Sequence, residues 1–342
     1  MLNGVIAYAL SMSQYVQESV KNVEKEINKR GLVLAKCVKL PFTTNYCPEL
    51  DGSKDSSVED AVYYQSLIGV LQWIVEMGRM DINMEVSAMS SFVAAPRYGH
   101  FLQLLQIFAY LICHHAVKLV FDPSYPEIDD TQFERKDWSG FYGSEKEPVP
   151  ANSPKPKWKE FIITAYVDVS FAGYKLTRRS RTGFIVYLNS TPIHWYSKKQ
   201  GSYEISIFGS ESVAMRQCCE YVRELRYKLR MMEIPVNNPA FIFGDNQSVV
   251  WNTTVLESSL KKKSCAVAYY FCREDVSRLE WLTAYIRTHL NSSDIMTKSV
   301  SSIKDRIRKV RMLLYDIYIQ KLMMKDNKKN IIKMNFAVQR YY

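Results

Sequence analysis

Four acidic residues stand where strand or helix patterns would bring carboxylates into one region. They are Asp168, Glu211, Asp245 and Asp294. Asp168 ends the apolar, β-branched run Phe161-Ile-Ile-Thr-Ala-Tyr-Val, and Asp245 ends the similar run Ala240-Phe-Ile-Phe-Gly. Both runs have the pattern of buried strands, and a core strand does not readily hold an unpaired carboxylate. Open α/β sheets bind their ligands at the carboxyl ends of such strands.

The other two acids fall on helical patterns. Glu211 lies near the start of a segment whose apolar residues recur with helical spacing, where a negative charge suits the helix dipole. Asp294 opens Ser293-Asp-Ile-Met-Thr-Lys298, which is typical of the N-terminal turn of a last helix. Taken alone, each of the four acids is also compatible with a purely structural role as a turn residue, a helix N-terminal charge or a cap.

Together, the four acids predict metal chemistry. Clustered carboxylates repel one another, so they are either protonated or occupied by divalent cations. Oxygen ligands without an accompanying Cys or His set favour Mg²⁺ or Mn²⁺. Two such ions, roughly 3.5 to 4 Å apart, can activate a water and stabilise the leaving oxygen of a phosphodiester. The sequence therefore predicts a two-metal hydrolase with Asp168, Glu211, Asp245 and Asp294 as metal-binding catalytic residues.

A series of short blocks surrounds these acids. They are Val167-Asp168 with Phe171-Ala-Gly173, Thr177-Arg-Arg-Ser-Arg-Thr-Gly-Phe184, His194-Trp-Tyr-Ser-Lys-Lys-Gln200, Ser210-Glu211, Gly244-Asp-Asn-Gln-Ser248, Lys261-Lys-Lys263, Tyr269 to Glu274, and Ser293 to Lys298. In this order they resemble the ribonuclease H end of the Pol polyprotein of copia-type LTR retrotransposons. Upstream, Tyr63 to Trp73, Arg79 to Ile82 and Phe92 to Pro96 resemble the segment that links the polymerase to the ribonuclease H. The resemblance spans about residues 10 to 318.

The resemblance implies an endonuclease that cleaves the RNA strand of an RNA–DNA hybrid, with two Mg²⁺ or Mn²⁺ ions on the four acids. It implies the hybrid as a nucleic-acid partner, and a complete reverse transcriptase or other Pol parts as protein partners. The chain contains no Tyr-X-Asp-Asp carboxylate pair, so we expect no polymerase activity of its own. No small-molecule cofactor and no membrane partner are expected.

Other functions stay open on the sequence. The chain departs from the family pattern at Val169-Ser170, Tyr270, Asn291-Ser-Ser293 and Lys298-Ser-Val300, none of which removes a predicted metal ligand. These departures are compatible with a catalytically decayed, nucleic-acid-binding relic of a retrotransposon Pol, or with an inert one. An integrase-like strand transferase is disfavoured, because its Glu follows both Asp residues and Glu211 lies between them.

Several residues are predicted to contact the substrate. Basic side chains that could grip hybrid phosphates flank the first hairpins, namely Arg178, Arg179, Arg181, Lys198 and Lys199. A solvated basic hairpin is the alternative reading. Asn246 and Gln247 can both donate and accept, which suits recognition of the RNA 2′-OH. His289 is a candidate for an auxiliary role in product release or proton transfer, against the alternative of an ordinary exposed loop histidine.

The predicted fold class is α/β, with a ribonuclease H-like five-stranded mixed sheet and flanking helices after a mainly helical, polymerase-derived thumb or connection segment. The expected domains are a truncated reverse transcriptase segment (1–121), a Pro-rich linker (122–158), a ribonuclease H-like domain (159–300) and a basic C-terminal helix and tail (301–342). Helices are predicted near 13 to 29, 60 to 77, 81 to 94 and 98 to 113. Later elements are predicted as strands 161 to 168, 182 to 188, 192 to 198, 240 to 244 and 279 to 287, and helices 207 to 232, 247 to 254, 264 to 277 and one from 293.

Charge and cysteine usage suggest an intracellular protein. Much of the net charge of +10 lies in the C-terminal segment, where Ile303, Ile307, Val310 and Leu314 predict the apolar face of a basic helix and Lys325 to Lys333 is expected to be loose. Such a tail could contact nucleic acid or be unselected readthrough. Seven scattered cysteines without zinc spacing predict reduced thiols. With no signal-peptide pattern, we expect a cytoplasmic particle or the nucleus and no secretion.

Overall fold

The structure is a computed structural model that describes residues 7–36, 38–133, 135–144, 146–260 and 263–315. These residues form two compact units. The first comprises the described residues of Met1–Phe121 and Lys298–Tyr342, and the second comprises those of Asp122–Thr297. Within the described ranges, no helix has both the length and the apolar character needed to cross a membrane. The predicted loose segment from Lys325 to Lys333 lies outside the described residues.

The regular elements follow one another along the chain, with short 3₁₀ turns between some of them. In chain order they are β1 (Tyr8–Ser11), α1 (Ser13–Lys29), α2 (Val58–Glu76), α3 (Asn83–Ser90), α4 (Tyr98–Cys113), β2 (Lys118–Phe121), α5 (Ser139–Tyr142), β3 (Ile163–Ser170), β4 (Arg181–Leu188), β5 (Thr191–Lys199), α6 (Ile207–Met231), β6 (Ala240–Gly244), α7 (Gln247–Thr254), α8 (Ala266–Ser277), β7 (Trp281–Tyr285) and α9 (Ile303–Leu313).

The first unit is mainly helical, as predicted. Helix α1 buries Val16, Val20, Val23 and Ile27, whose spacing forms one apolar stripe. Helix α1 packs against α4, and α2 packs against α3 and α4. Strands β1 and β2 form an antiparallel pair.

Buried ion pairs link α9 to the rest of the first unit. Two nitrogens of Arg79 donate to the Asp81 carboxylate at 2.9 and 3.0 Å, and Tyr110 donates to the same carboxylate at 3.1 Å. On α9, Arg306 donates to Glu85 Oε1 at 2.7 Å and to the Asp81 backbone carbonyl. All five side chains are almost fully buried. The described end of the chain is thus held in the first unit by a buried cation.

The predicted apolar face of α9 is confirmed at Val310 and Leu314, which are buried, and is wrong at Ile303. The residues that α9 buries are Arg306, Lys309, Val310 and Leu313, whereas Ile303 is 41% exposed. The apolar stripe was predicted from periodicity, which treats Arg as a solvent-facing residue. Here the ion pair with Glu85 offsets the burial of Arg306. Two basic residues of α9, Arg306 and Lys309, are therefore buried.

The second unit is built on a five-stranded sheet of order β5-β4-β3-β6-β7. Strand β3 is central and pairs antiparallel with β4 and parallel with β6. Strand β4 pairs antiparallel with β5, and β6 pairs parallel with β7. Three antiparallel strands followed by alternating helices and strands form the predicted ribonuclease H-like arrangement, so the fold class is confirmed.

The helices and the Pro-rich segment complete the core of the second unit. Helix α6 packs against β3, β4 and α8. From the predicted linker 122–158, Phe133 and Trp138 are buried, and the Phe133 ring lies edge-on to Phe241 and Phe243 at 4.8 and 5.2 Å. Despite its proline content, this segment contributes apolar side chains to the sheet's packing.

Two further sequence predictions are wrong. The helix predicted from residue 293 is a 3₁₀ turn, Ser292–Met296, and α9 begins separately at Ile303. The interruption has a local cause, because Ser302 accepts from Asp305 N at 3.3 Å and so caps a new helix. Among the cysteines, Cys113 is disulfide-bonded, so the expectation of reduced thiols is wrong for that residue. Five others are free, namely Cys47, Cys218, Cys219, Cys265 and Cys272.

Candidate metal centre

Three of the four predicted acids meet at one point. Asp168, Glu211 and Asp245 each offer a carboxylate oxygen, and these oxygens all lie within 4.8 Å of one another. Asp168 and Glu211 are buried, and Asp245 is partly exposed. The three residues come from positions far apart in the sequence, so only the tertiary fold brings them together. We call them the acid cluster.

The sheet register positions the two aspartates of the cluster. Val167 on β3 lies opposite Gly244 on the parallel strand β6, so Asp168 within β3 and Asp245 directly after β6 are neighbours at the same level of the sheet. A side chain at position 244 would be crowded, because an added Cβ would approach Met215 Cε to 3.1 Å. Glycine there lets α6 pack closely against the end of β6.

Polar contacts fix the start of α6, which carries the glutamate. Ser206 caps the helix by accepting from Gly209 N at 3.1 Å, and Glu211 is the fifth helical residue. Ser210, immediately before Glu211, contacts Ser180 Oγ at 2.9 Å through its hydroxyl. Its carbonyl accepts from Gln200 Nε2 at 2.9 Å. These bonds tie the helix start to the segments that flank β4, so the position of Glu211 follows from the sheet.

The fourth predicted acid lies outside the acid cluster. Asp294 is buried in the 3₁₀ turn after β7, on a segment of residues 291–297 that we call the strap. The strap reaches back to the sheet, because Asn291 Nδ2 donates to Val167 O at 2.8 Å and Thr297 Oγ1 donates to Asp168 Oδ2. Thr297, three residues after Asp294, therefore links the strap to Asp168 by a hydrogen bond. Its predicted role as a metal ligand stays a prediction.

The acid cluster suits a hard divalent cation. Two oxygens on opposite sides of one Mg²⁺ are about 4.2 Å apart, twice a metal–oxygen distance of roughly 2.1 Å. Oxygens within 4.8 Å of one another therefore need only small shifts to share an ion. With effective dielectric about 20, two ionised carboxylates roughly 5 Å apart repel by on the order of 3 kcal/mol. A divalent cation would remove this repulsion, and all-oxygen donors favour Mg²⁺ or Mn²⁺ over softer metals.

Comparison with known proteins finds relatives among transposon polyproteins. The chain is 24% identical over 275 residues to the retrovirus-related Pol polyprotein from transposon RE1 of Arabidopsis thaliana, and 22% identical over 277 residues to that from transposon RE2. Each match covers 80% of this chain. Its homologues are Pol polyproteins of copia-type transposons. The chain spans only 16% of the length of each of these two relatives. No protein-family model matches the chain.

Among solved structures, the chain is similar to the N-terminal ribonuclease H domain of a Mycobacterium tuberculosis protein. That match has a TM-score of 0.33 and 12% identity, and it covers 44% of this chain and 96% of that one.

Three of the residues predicted to contact phosphate lie on the β4–β5 hairpin, namely Arg181, Lys198 and Lys199. Arg181 on β4 lies opposite Lys199 on β5, and Thr182 lies opposite Lys198. Arg181 donates to Ser197 Oγ at 3.1 Å. Lys198 is exposed, and Lys199 lies 4.1 Å from the centre of the Tyr174 ring.

Before β4, the other two arginines occupy the loop that follows β3. Arg178 is exposed and adopts a positive φ of 50°. The guanidinium of Arg179 lies 4.9 Å from the centre of the Tyr203 ring. Since Ser180 next to Arg179 contacts Ser210, this loop passes close to the start of α6 and the acid cluster.

The remaining predicted substrate residues differ in their freedom to bind. Asn246 caps α7, because its Oδ1 accepts from Ser248 N and Val249 N at 3.0 and 3.3 Å. Only its amide NH₂ is then left for a substrate hydroxyl. Gln247 is exposed at the start of α7, and His289 is exposed in the 3₁₀ turn Thr288–Leu290.

Sequence reasoning missed the supports of the acid cluster. Thr297 and Asn291 stand within or beside a motif that was noted for Asp294 alone, and Gly183 was part of a block that was valued for its arginines. An added Cβ at Gly183 would approach Thr297 Cγ2 to 2.6 Å and Met296 Cβ to 2.7 Å. A glycine in the middle of a core strand is the one signal that could have indicated a close approach there.

Proposed function

We propose that this chain is a divalent-metal-dependent endonuclease that hydrolyses the RNA strand of RNA–DNA hybrids. The observation that carries the proposal is the acid cluster, in which carboxylates from β3, α6 and the end of β6 lie within 4.8 Å of one another. The ribonuclease H-like sheet and the Pol homologues support a nuclease of the ribonuclease H type. The proposed activity would be that of one part of a longer Pol polyprotein.

The acid cluster would hold the metal, with Asp294 on the strap as a further ligand. Two Mg²⁺ or Mn²⁺ ions there would supply an activated water and would neutralise charge on the leaving 3′ oxygen. The chain's contribution is to fix the carboxylates before the substrate arrives. Asp168 lies in the paired strand β3, Asp245 directly follows the paired residue Gly244, and Ser210 beside Glu211 is hydrogen-bonded to Ser180 and Gln200.

The substrate would be gripped on its phosphates and recognised by its ribose. Charged side chains on the loop and hairpin near the acid cluster would bind phosphate oxygens, namely Arg178, Arg179, Arg181, Lys198 and Lys199. The Asn246 NH₂ group and the Gln247 amide would contact the 2′-OH, which distinguishes RNA from DNA. His289 would act after cleavage, by aiding proton transfer or product release. A complete reverse transcriptase or other Pol parts would supply the polymerase that this chain does not contain.

The proposal is tested by incubating the full chain with a hybrid whose RNA and DNA strands carry different labels. We expect cleavage of the RNA strand alone, dependent on Mg²⁺ or Mn²⁺, and no cleavage of duplex DNA. Asp168→Asn should abolish the cleavage, whereas Asp275→Asn, another buried acid of the second unit, should retain it. Equal rates for wild type and Asp168→Asn would overturn the proposal.

A second function is favoured by the departures from the family pattern at Val169-Ser170 and Asn291-Ser-Ser293. These substitutions beside two acids suit a catalytically decayed relic that binds hybrids without cleaving them. Salt-sensitive retention of the hybrid, with no product at any Mg²⁺ or Mn²⁺ concentration, would identify it.

A further inference from the structure

Hydrogen bonds attach the strap to two strands, β3 and β5, close to the acid cluster. Asn291 donates to Val167 O on β3 at 2.8 Å, one residue before Asp168. On β5, Ser197 Oγ donates to Met296 O at 2.6 Å. Between these points, Thr297 Oγ1 donates to Asp168 Oδ2. The strap therefore ends at Thr297, whose buried hydroxyl donates a hydrogen bond to the carboxylate of Asp168, a candidate metal ligand.

The Thr297 hydroxyl has one proton and two nearby acceptors. One is Asp168 Oδ2, and the other is the Asp294 carbonyl at 3.1 Å. A carboxylate oxygen is a stronger hydrogen-bond acceptor than a peptide carbonyl oxygen. The proton is therefore assigned to Asp168 Oδ2. This bond fixes the rotation of the carboxylate, which strand geometry alone does not fix.

Gly183 makes the approach of Thr297 possible. It lies opposite Asp168 in the β3–β4 pair. Because an added Cβ would come within 2.6 Å of Thr297 Cγ2, any other residue there would push the strap away from β4. The bonds of Asn291 to Val167 and of Ser197 to Met296 fix the strap on either side of this close approach, so the Thr297 hydroxyl has a defined position.

We propose that Thr297 is a positioning residue that orients Asp168 for the divalent cation and thereby sets the affinity of the site. The inference rests on the proposed metal site and adds a residue to it that touches neither metal nor substrate. Residues that hydrogen-bond to metal ligands orient them, and their loss typically lowers metal affinity or activity about 10- to 100-fold. The strap would then contribute to the site through Thr297 as well as through Asp294.

The test is calorimetric titration of Mn²⁺ into the full chain without nucleic acid. Thr297→Val keeps the shape and removes the hydroxyl, and we expect about 10- to 100-fold weaker binding. Thr297→Ser keeps the hydroxyl and should restore binding close to that of wild type. Thr283→Val is the matched control, because Thr283 is equally buried and its hydroxyl bonds to Thr253 at 2.6 Å on another part of the unit. This control should bind Mn²⁺ like wild type.

Two further comparisons keep the inference falsifiable if the valine variant does not fold. Thr297→Ala and Thr297→Ser both lose the methyl group, and only the alanine variant loses the hydroxyl, so the ratio of their Mn²⁺ affinities isolates the hydrogen bond. Gly183→Ala should weaken Mn²⁺ binding by displacing the strap while Thr297 remains. In hybrid cleavage, the alanine variant should need more metal for half-maximal rate than the serine variant.

The outcomes separate this inference from the proposed function. If wild type binds Mn²⁺, Asp168→Asn does not, and the alanine and serine variants bind equally, then Thr297 has no positioning role and the metal site stands. If wild type binds no Mn²⁺, both proposals are overturned. Weakened binding in the alanine variant, restored by serine, supports the inference.

Discussion

Both units bury carboxylates, but they place them in opposite surroundings. In the first unit, Asp81 and Glu85 face the guanidinium groups of Arg79 and Arg306, with bonds of 2.7 to 3.0 Å. In the second unit, the carboxylates of the acid cluster face one another within 4.8 Å. One arrangement pairs buried carboxylates with guanidinium groups, and the other brings three carboxylates together.

The difference separates structural from functional burial. Removing one partner of a buried ion pair leaves an uncompensated charge, so such pairs are sensitive points for stability. Gathering like charges lowers the free energy of unfolding. Clusters of this kind are therefore typical of functional sites. Removing one charge should therefore lower the free energy of unfolding at the ion pairs of the first unit, and leave it unchanged or raise it at the acid cluster.

The largest effect is expected in the acid cluster. Asp245→Asn should lower hybrid cleavage more than the roughly 10- to 100-fold typical of residues that only support a metal ligand. In chelator, the same variant should be as stable as wild type or more stable, because one repelling charge is gone. The measurements are initial cleavage rates and urea unfolding without metal. A variant that is less stable than wild type in chelator and still cleaves would remove the distinction between the two regions.

In the first unit, removing a charge should lower the free energy of unfolding. Arg306→Met should lower the free energy of unfolding by about 3 to 5 kcal/mol, because it leaves Glu85 buried and unpaired. The control is Arg308→Met on the same helix, whose exposed pair with Asp305 should contribute at most about 1 kcal/mol. Urea denaturation of the full chain measures both. Equal stability of the two variants would show that the Arg306 pair is not a structural anchor.

The second unit also contains a buried pair of acids whose contribution to stability should depend on pH. Asp275 and Glu280 are both buried, and Arg223 contacts each of them. Burial, followed by the charge of Glu280, raises the pKa of Asp275 to about 7. Since the folded pKa lies above the unfolded one, the stability that the bound proton contributes is present near pH 4 and is lost as pH rises through about 7.

The free energy of unfolding should therefore decrease by up to about 1.4 kcal/mol per pH unit over that window. Asp275→Asn should flatten the profile, because the amide cannot lose a proton. Chemical denaturation at a series of pH values checks this. A slope that persists in the variant would assign the titration to another group.

The smallest effect is expected at the surface. Arg178→Ala should weaken hybrid binding and reduce the slope of log K against log salt by about one, as for a single phosphate contact. Lys228→Ala is the control, since it lies about 25 Å along α6 from Glu211. Salt-dependent binding with Ca²⁺ in place of Mg²⁺ measures the slopes. Identical slopes for wild type and Arg178→Ala would exclude this phosphate contact.

Local sequence patterns predicted the strands and the helix that carry Asp168, Glu211 and Asp245, and the family resemblance was needed to predict that these acids meet. Asp168 and Asp245 end apolar strand patterns, and parallel neighbouring strands bring their carboxyl ends together. Glu211 lies on a helix whose periodicity is clear. These signals are local, and the ribonuclease H-like topology relates them to one another.

What sequence could not predict depends on contacts between distant residues. The burial of Arg306 depends on its pairing with Glu85, more than two hundred residues earlier, and helical periodicity assigned the buried face of α9 to apolar residues alone. The role of Thr297 requires that a 3₁₀ turn, and not a helix, follow β7. Asp294 carries a family pattern and lies in the strap, whose Thr297 contacts Asp168, and its role as a metal ligand stays a prediction.

The most direct test of the acid cluster is a crystal of the full chain soaked in Mn²⁺, with data collected at the manganese absorption edge. We predict an anomalous peak bounded by the carboxylates of Asp168, Glu211 and Asp245, and no peak there in Asp168→Asn crystals. Manganese bound elsewhere, with the three carboxylates left without a peak at saturating Mn²⁺, would contradict the metal centre and the nuclease built on it.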